Sequence, residues 1–315
     1  MERDVILREV GLRDGLQMVK SIFPTEAKKK WISDAVSAGM PEIEVCSFVP
    51  AHVVPQFQDH QDIVEHALAQ KDLTVSALIP NAKGAERGFG LGVHKLNFVL
   101  SASETHNQKN VKCSTEESLA RFDQVMEVQR SNPDYAKTAV CGGVSTALGC
   151  TMEGEIAPAR VMWLIEEYLK RGATEVAIAD TVGYANPAQV KNVFRQAIDR
   201  FGKDTTIVAH FHDTRGLGLA NALAAYEAGC RAFDASLAGL GGCPFAPMAT
   251  GNVVMDDLVF MFEAMGVKTG IDLDRLLEIR GLLSENLPDE PLHGMVAKAG
   301  QPKGFRPASH AVAAE

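Results

Sequence analysis

The chain has 315 residues, enough for one large α/β domain or two ordinary ones, and carries a formal charge of −9 with a pI near 5.5. That acidic balance argues against nucleic acid or an anionic membrane surface as a partner, and no apolar run is long enough to span a bilayer. The six cysteines are scattered with no CxxC spacing, which predicts reduced thiols in a cytoplasmic compartment rather than a disulfide framework or zinc knot.

Apolar, strand-like runs alternate with helix-like segments along the whole chain. The first residues lead straight into Val5–Val10, so no signal or transit peptide is expected. Further strand-like runs follow at Ile43–Cys46, Thr74–Ile79, Lys95–Leu100, Thr138–Val144, Glu175–Ala179, Thr206–Phe211 and Ala232–Ser236. Each interval has room for a helix, and amphipathic segments are clearest at Thr25–Ala38, Thr115–Arg130, Pro158–Arg171, Pro187–Arg200 and Gly218–Ala228. Several open on capping residues, such as Ser114 before Thr115-Glu116-Glu117 and Asn186 before Pro187, and several close on glycine. Eight βα units predict a closed (β/α)8 barrel, with a doubly wound open sheet as the alternative. A Gly-x-Gly-x-x-Gly turn after the first strand, the mark of a dinucleotide fold, is absent. Two more helices are expected near Asp256–Met265 and Asp272–Asn286. The barrel and these helices account for residues 1–286, and the Pro-, Gly- and Ala-containing tail 287–315 is expected to be poorly ordered.

In such a barrel the residues ending the strands converge on one mouth, the usual place of the active site. Here most strands end in reactive groups. Arg13 and Asp14 follow the first, Glu44 lies within the second, and Asp180 ends the sixth. The seventh ends in His210-Phe211-His212, where the period of a strand puts both imidazoles on one side. Asp14, His210 and His212, with Asn252 as a further oxygen donor, form a mixed oxygen and nitrogen set suited to Mg²⁺, Mn²⁺ or another first-row divalent cation. Glu44 is read as orienting its neighbours, since a lone buried carboxylate is costly. After the eighth strand, Leu240-Gly241-Gly242-Cys243-Pro244 reads as a mobile flap carrying a thiol that can donate a proton.

Several stretches together resemble a known superfamily. Glu9-Val10-Gly11-Leu12-Arg13-Asp14-Gly15-Leu16-Gln17 is similar to the opening motif of the DRE-TIM metallolyases, and His210-Phe211-His212-Asp213-Thr214 to their metal-binding strand. Within them, Ala238-Gly239-Leu240-Gly241-Gly242-Cys243-Pro244 resembles the signature loop of the 3-hydroxy-3-methylglutaryl-CoA (HMG-CoA) lyases, as do Ser47-Phe48-Val49, Ala102-Ser103-Glu104, Ala147-Leu148-Gly149-Cys150 and Asp180-Thr181-Val182-Gly183.

The resemblance implies a barrel that splits HMG-CoA into acetyl-CoA and acetoacetate, a step of leucine breakdown. It implies metal ligation by Asp14, His210, His212 and Asn252, a cationic catalytic role for Arg13, and acidic catalytic roles for Glu44 and Asp180. Cys243 matches the flap thiol, and His210 or Asp180 is offered as acceptor of the substrate's hydroxyl proton. A homodimer is plausible on the same likeness.

The chain departs from the family at Met18-Val19-Lys20, where Asn-Glu-Lys is usual, and at Ala177-Ile178-Ala179, where Ser-Leu-Gly is usual. These changes leave the catalytic set whole and open the choice of acyl group to citramalyl-CoA. An acetyl-CoA-dependent synthase and a non-catalytic CoA-binding barrel are the remaining readings. For the CoA phosphates, Asn81, Lys83, Lys109 and Asn110 are the candidates, since they follow the third and fourth strands.

Overall fold

The computed structural model describes residues 3–242 and 251–310. In chain order it contains β1 (Ile6–Glu9), α1 (Thr25–Ser37), β2 (Glu42–Ser47), α2 (His60–Leu68), β3 (Thr74–Ile79), α3 (Ala82–Leu91) and β4 (Lys95–Ser101). Then come α4 (Glu104–Val111), α5 (Thr115–Ser131), β5 (Ala139–Ser145), α6 (Pro158–Arg171), β6 (Glu175–Asp180), α7 (Pro187–Phe201), β7 (Thr206–Phe211), α8 (Gly218–Glu227) and β8 (Ala232–Ala235). Helices α9 (Met255–Ala264), α10 (Leu273–Asn286) and α11 (Val296–Ala299) follow the barrel. The strands pair in parallel in sequence order, and β8 returns to β1, so the sheet closes as the eight βα units predict.

The helices that the sequence marks best are those with a continuous apolar stripe. Helix α3 carries Gly84, Gly88 and Gly90, which weaken its intrinsic propensity. Helix α4 buries only His106 and Asn107, so it has no stripe to read. Both form because the barrel gives them a surface to lie on. Between barrel and helices, Phe122 of α5 packs against Phe98 of β4 and Tyr168 of α6, with ring centroids 5.5 and 4.9 Å apart. Gly142 on β5 admits the Tyr168 ring, because a Cβ there would stand 2.6 Å from it. The tyrosine hydroxyl donates to the Phe98 and Gly143 carbonyls, joining α6 to two strands.

The barrel interior is ionic in its lower half. Arg8 of β1 pairs with Asp234 of β8 at 2.7 Å and Glu175 of β6 at 2.9 Å, and Lys95 of β4 bridges Glu42 of β2 and the same Glu175. These side chains are buried or nearly so, and each charge meets an opposite one, which buried charge requires.

The segment after Leu287 differs from the expected loose tail. Asp257 accepts from the backbone N–H groups of Met295 and Val296 at 2.8–2.9 Å, Phe305 packs on Phe260, and the Ser309 N–H donates to Glu263 at 2.7 Å. Three anchors on α9 therefore hold it, and each is a side chain whose partner is a backbone group or ring far along the chain, invisible to composition. Residues 311–315 lie outside the described residues. Among the described residues no helix is long and apolar enough to cross a membrane.

Glu9 ties the end of β1 to the turn after β8. Its carboxylate accepts from the N–H of Gly11 at 2.6 Å and of Leu237 at 3.0 Å, fully buried. Burial pushes its pKa up from 4.5 to about 8, against those two hydrogen bonds and with help from Asp256. Between these values the folded chain holds a proton that the unfolded chain has lost. Stability is therefore expected to fall as pH rises from about 4.5 to about 8, with a slope of up to ~1.4 kcal/mol per pH unit from this group. Glu9→Gln should flatten that descent in urea unfolding measured at successive pH values, and a slope unchanged in the variant would clear Glu9 of the effect.

Candidate active site

The turn after β1 builds the first part of the site. The N–H groups of Arg13, Asp14 and Gly15 all point at the Val10 carbonyl, at 3.1, 2.7 and 3.3 Å, a single wide turn of the π type. It places Arg13 and Asp14 side by side over the barrel mouth. Arg13 donates from Nε to Glu44 and from a terminal nitrogen to Asp14 at 2.8 Å. Asn97 of β4 donates to the other Glu44 oxygen at 2.8 Å, so the buried Glu44 is held from two sides. Burial would lower the Arg13 pKa, but Glu44 and Asp14 outweigh it and hold the guanidinium charged.

The second part comes from β7. His210 and His212 have their Nε2 atoms 3.3 Å apart, and Asp14 Oδ2 lies 4.0 and 3.6 Å from them. Residues 251–253 return to the end of β7, with the Asp213 N–H donating to the Gly251 carbonyl and the Val253 N–H to the Phe211 carbonyl. This bridge seats Asn252 beside Asp14, to which its amide donates at 2.7 Å. Gly251 allows the return, since a Cβ there would stand 1.9 Å from the Gly239 carbonyl oxygen.

The electrostatics are those of a cation site. Burial pushes the Asp14 pKa up, yet Arg13, His212 and His210 together bring it well below the usual carboxylate range. Burial, only partly opposed by Asp14, pulls His212 down to about 4, so its ring is neutral at pH 7. Three donor atoms of Asp14, His210 and His212 lie within 4.8 Å of one another, and Asn252, whose amide nitrogen contacts Asp14, has a buried Oδ1 without a hydrogen-bond partner among the described residues. Converging imidazole nitrogens, a carboxylate and a spare amide oxygen fit a divalent cation.

A cavity of about 520 Å³ opens over this set and reaches down to Arg8 and Glu175. Arg13, Asp14, Glu44, His210 and His212 line it, as the sequence predicts. Of the candidate CoA-binding residues, Asn81 and Asn110 line it, while Lys83 and Lys109 are exposed and do not. Asn81 also caps α3 by accepting from the Gly84 N–H.

Asp180 is not brought into the cavity. Its two oxygens accept from the N–H groups of Tyr184 and Ala185 at 2.8 and 3.0 Å, and it is fully buried, so it holds the loop after β6 in shape. That geometry turns both Asp180 oxygens toward its own loop rather than toward the cavity, where the sequence places an acidic group. Cys243 lies outside the described residues. The other five cysteines are buried free thiols, as expected.

Two participants escaped the sequence reading. Asp234 accepts from His210 Nδ1 at 3.1 Å, and Arg8 holds Asp234 from below. Their signal was a charged residue inside a short apolar strand, the same signal that drew attention to Glu44.

A closed parallel barrel with a two-histidine, one-carboxylate set at its mouth defines a class of metal-dependent barrel enzymes. The HMGL-like family model matches residues 4–283. The rat mitochondrial hydroxymethylglutaryl-CoA lyase is 39% identical over 287 residues, covering 91% of this chain and 87% of its own. The (R)-citramalyl-CoA lyase of Chloroflexus aurantiacus is 38% identical over 307 residues, covering 94% and 95%. Among solved structures, an HMG-CoA lyase from Acinetobacter baumannii in complex with coenzyme A and 3-methylmalate is 40% identical, with a TM-score of 0.88 over 96% of this chain and 97% of the other. The chain belongs to the HMGL-like family.

Gly251→Ala is expected to displace Asn252, because the atoms it meets are backbone and cannot give way. Calorimetric titration with Mn²⁺ should show affinity reduced by roughly 10–100-fold, the usual cost of disturbing the groups that orient a ligand. Wild-type affinity in the variant would show that Asn252 is dispensable.

Proposed function

We propose that this chain is a divalent-metal-dependent carbon–carbon lyase that cleaves HMG-CoA to acetyl-CoA and acetoacetate. The observation that carries the reading is the intact Asp14, His210 and His212 set beside the Arg13–Glu44 pair, in a chain 39% identical to an HMG-CoA lyase. Asp14, His210, His212 and Asn252 would hold Mg²⁺ or Mn²⁺, which when bound supplies a Lewis acid for the substrate's oxygens.

The chain's own residues supply the rest. Cleavage of the C2–C3 bond needs the 3-hydroxyl proton to leave and leaves the electron pair on an acetyl thioester enolate. The Arg13 guanidinium, fixed by Glu44 and Asp14, stands ready for the negative charge on the enolate oxygen. His210 cannot take the hydroxyl proton while it ligates, because Nδ1 is committed to Asp234 and only Nε2 remains. Of the carboxylates lining the cavity, Asp14 is taken by the cation, Asp234 by Arg8 and His210, and Glu175 by Arg8 and Lys95, so we assign the proton to Glu44, which would give up one of its contacts to Arg13 or Asn97 on accepting it. Cys243 returns a proton to the enolate carbon, giving acetyl-CoA. Asn81 and Asn110, which line the cavity, would meet the CoA portion.

A second reading rests on two wall positions. Met18 and Ala177, both departures from the family's usual residues, line the cavity. A relative that is a citramalyl-CoA lyase is as similar as the HMG-CoA lyases, so citramalyl-CoA is the alternative substrate.

Acetyl-CoA release from both thioesters, with Mg²⁺ and again with EDTA, tests the proposal. Metal-dependent release from HMG-CoA is expected. Release from citramalyl-CoA alone would keep the mechanism and transfer the substrate, and release from neither by metal-loaded protein would sink it. Cys243→Ser is expected to lower turnover by roughly 10²–10⁴-fold, the range for a lost general acid, while Mn²⁺ affinity stays unchanged. Unchanged turnover would remove the thiol from the mechanism.

A further inference from the structure

We infer that Asp234, anchored by Arg8, is a positioning residue that fixes His210 in the one tautomer able to present Nε2 to a divalent cation. The inference rests on the metal-binding part of the reading above and on none of its acyl-CoA chemistry.

Register brings the two residues together, because His210 of β7 pairs directly with Asp234 of β8. Both side chains turn into the barrel, where Asp234 Oδ2 lies 3.1 Å from His210 Nδ1 and Oδ1 lies 2.7 Å from Arg8 Nε. Asp234 is 6% exposed and Arg8 5%, so water competes weakly with either contact. Arg8 is itself steadied by Glu175 at 2.9 Å. The carboxylate thus faces a permanent cation on one side and an imidazole on the other.

An ionised carboxylate only accepts hydrogen bonds, so a neutral His210 must carry its proton on Nδ1. Nε2 then has a free lone pair, directed toward His212 Nε2 and Asp14. His212 has no comparable constraint, since its Nδ1 is buried without a hydrogen-bond partner among the described residues. Of the two imidazoles, His210 is therefore the one whose tautomer the protein dictates.

Asp234→Asn separates this from mere packing. The amide is isosteric but has a single acceptor oxygen. Arg8, which has only donors, claims that oxygen and leaves the NH₂ group facing His210. The ring must then accept at Nδ1 and carry its proton on Nε2, where it cannot bind a cation. The same exchange of tautomer is the known cost of replacing the aspartate of a serine-protease triad by asparagine.

The test uses the whole metal-free chain. In ¹⁵N-histidine NMR spectra at a pH where the ring is neutral, with His210 assigned by His210→Gln, the wild-type signal should be that of the Nδ1–H tautomer. An Nε2–H signal would overturn the inference with no Asp234 variant required. Asp234→Asn should move the signal to Nε2–H and weaken Mn²⁺ binding in calorimetric titration by roughly 10–100-fold. Wild-type affinity in that variant would overturn the inference. Adding Arg8→Met frees the amide to turn its oxygen to His210, so the double variant should bind Mn²⁺ more tightly than Asp234→Asn alone. Further weakening in the double variant would point to packing instead. A wild-type chain that binds no Mn²⁺ overturns the inference together with the metal site, whereas one that binds Mn²⁺ and cleaves neither thioester sinks the proposed reaction alone.

Discussion

The pairing of β8 with β1 is the contact on which the site depends. Ile6 to Glu9 lie in register with Ala232 to Ala235, joining stretches more than two hundred residues apart in sequence. Closure turns the ends of eight strands toward one axis, so that Asp14 from the first unit meets His210 and His212 from the seventh. An open sheet would leave β1 and β7 far apart. Glu9 reinforces closure at the rim, since its two accepted hydrogen bonds come from opposite sides of the β1–β8 seam.

Around the rest of the barrel the strands are held largely by burial. Parallel strands buried on both faces, such as the fully buried Glu42–Ser47, gain from packing at every residue. Charge inside the barrel is tolerated because it is confined to a lower layer and an upper one, each cross-linked by short ion pairs. Removing one member would strand its partners away from water, which costs several kcal/mol for a buried pair. The ionic interior thus links β1, β2, β4, β6 and β8 through side chains whose charges depend on one another for partners.

Much of this was legible in the sequence, for a physical reason. A strand is short and carries its signal in consecutive residues. Thr74–Ile79 and Thr206–Phe211 therefore have the bounds that the sequence predicts, as does helix Pro158–Arg171 with its proline start and glycine end. The two histidines could be placed on one face from the strand period alone. Features that depend on a partner elsewhere were harder. Asp180 has the same sequence character as a catalytic acid, and only the loop folding back over it shows that its oxygens are occupied. The charge of Asp234 was visible, but its neighbour on β7 is set by register across the sheet. The C-terminal segment looked loose because its anchors sit on α9 and have no local pattern.

The ion pairs at the two levels of the barrel carry a further consequence when their charges are taken together. Arg8 and Lys95 face Glu42, Glu175 and Asp234, Arg13 faces Asp14 and Glu44, and a neutral His210, between Asp234 and Asp14, joins the two groups. With every group in its ordinary ionised form, this linked set is two units short of positive charge, in a space where ions from solvent screen poorly. A divalent cation brings the interior to neutrality, a monovalent ion leaves a residual negative charge, and a trivalent one overshoots. Selection for valence would therefore be distributed over eight side chains on five of the barrel's βα units, most of which never touch the ion.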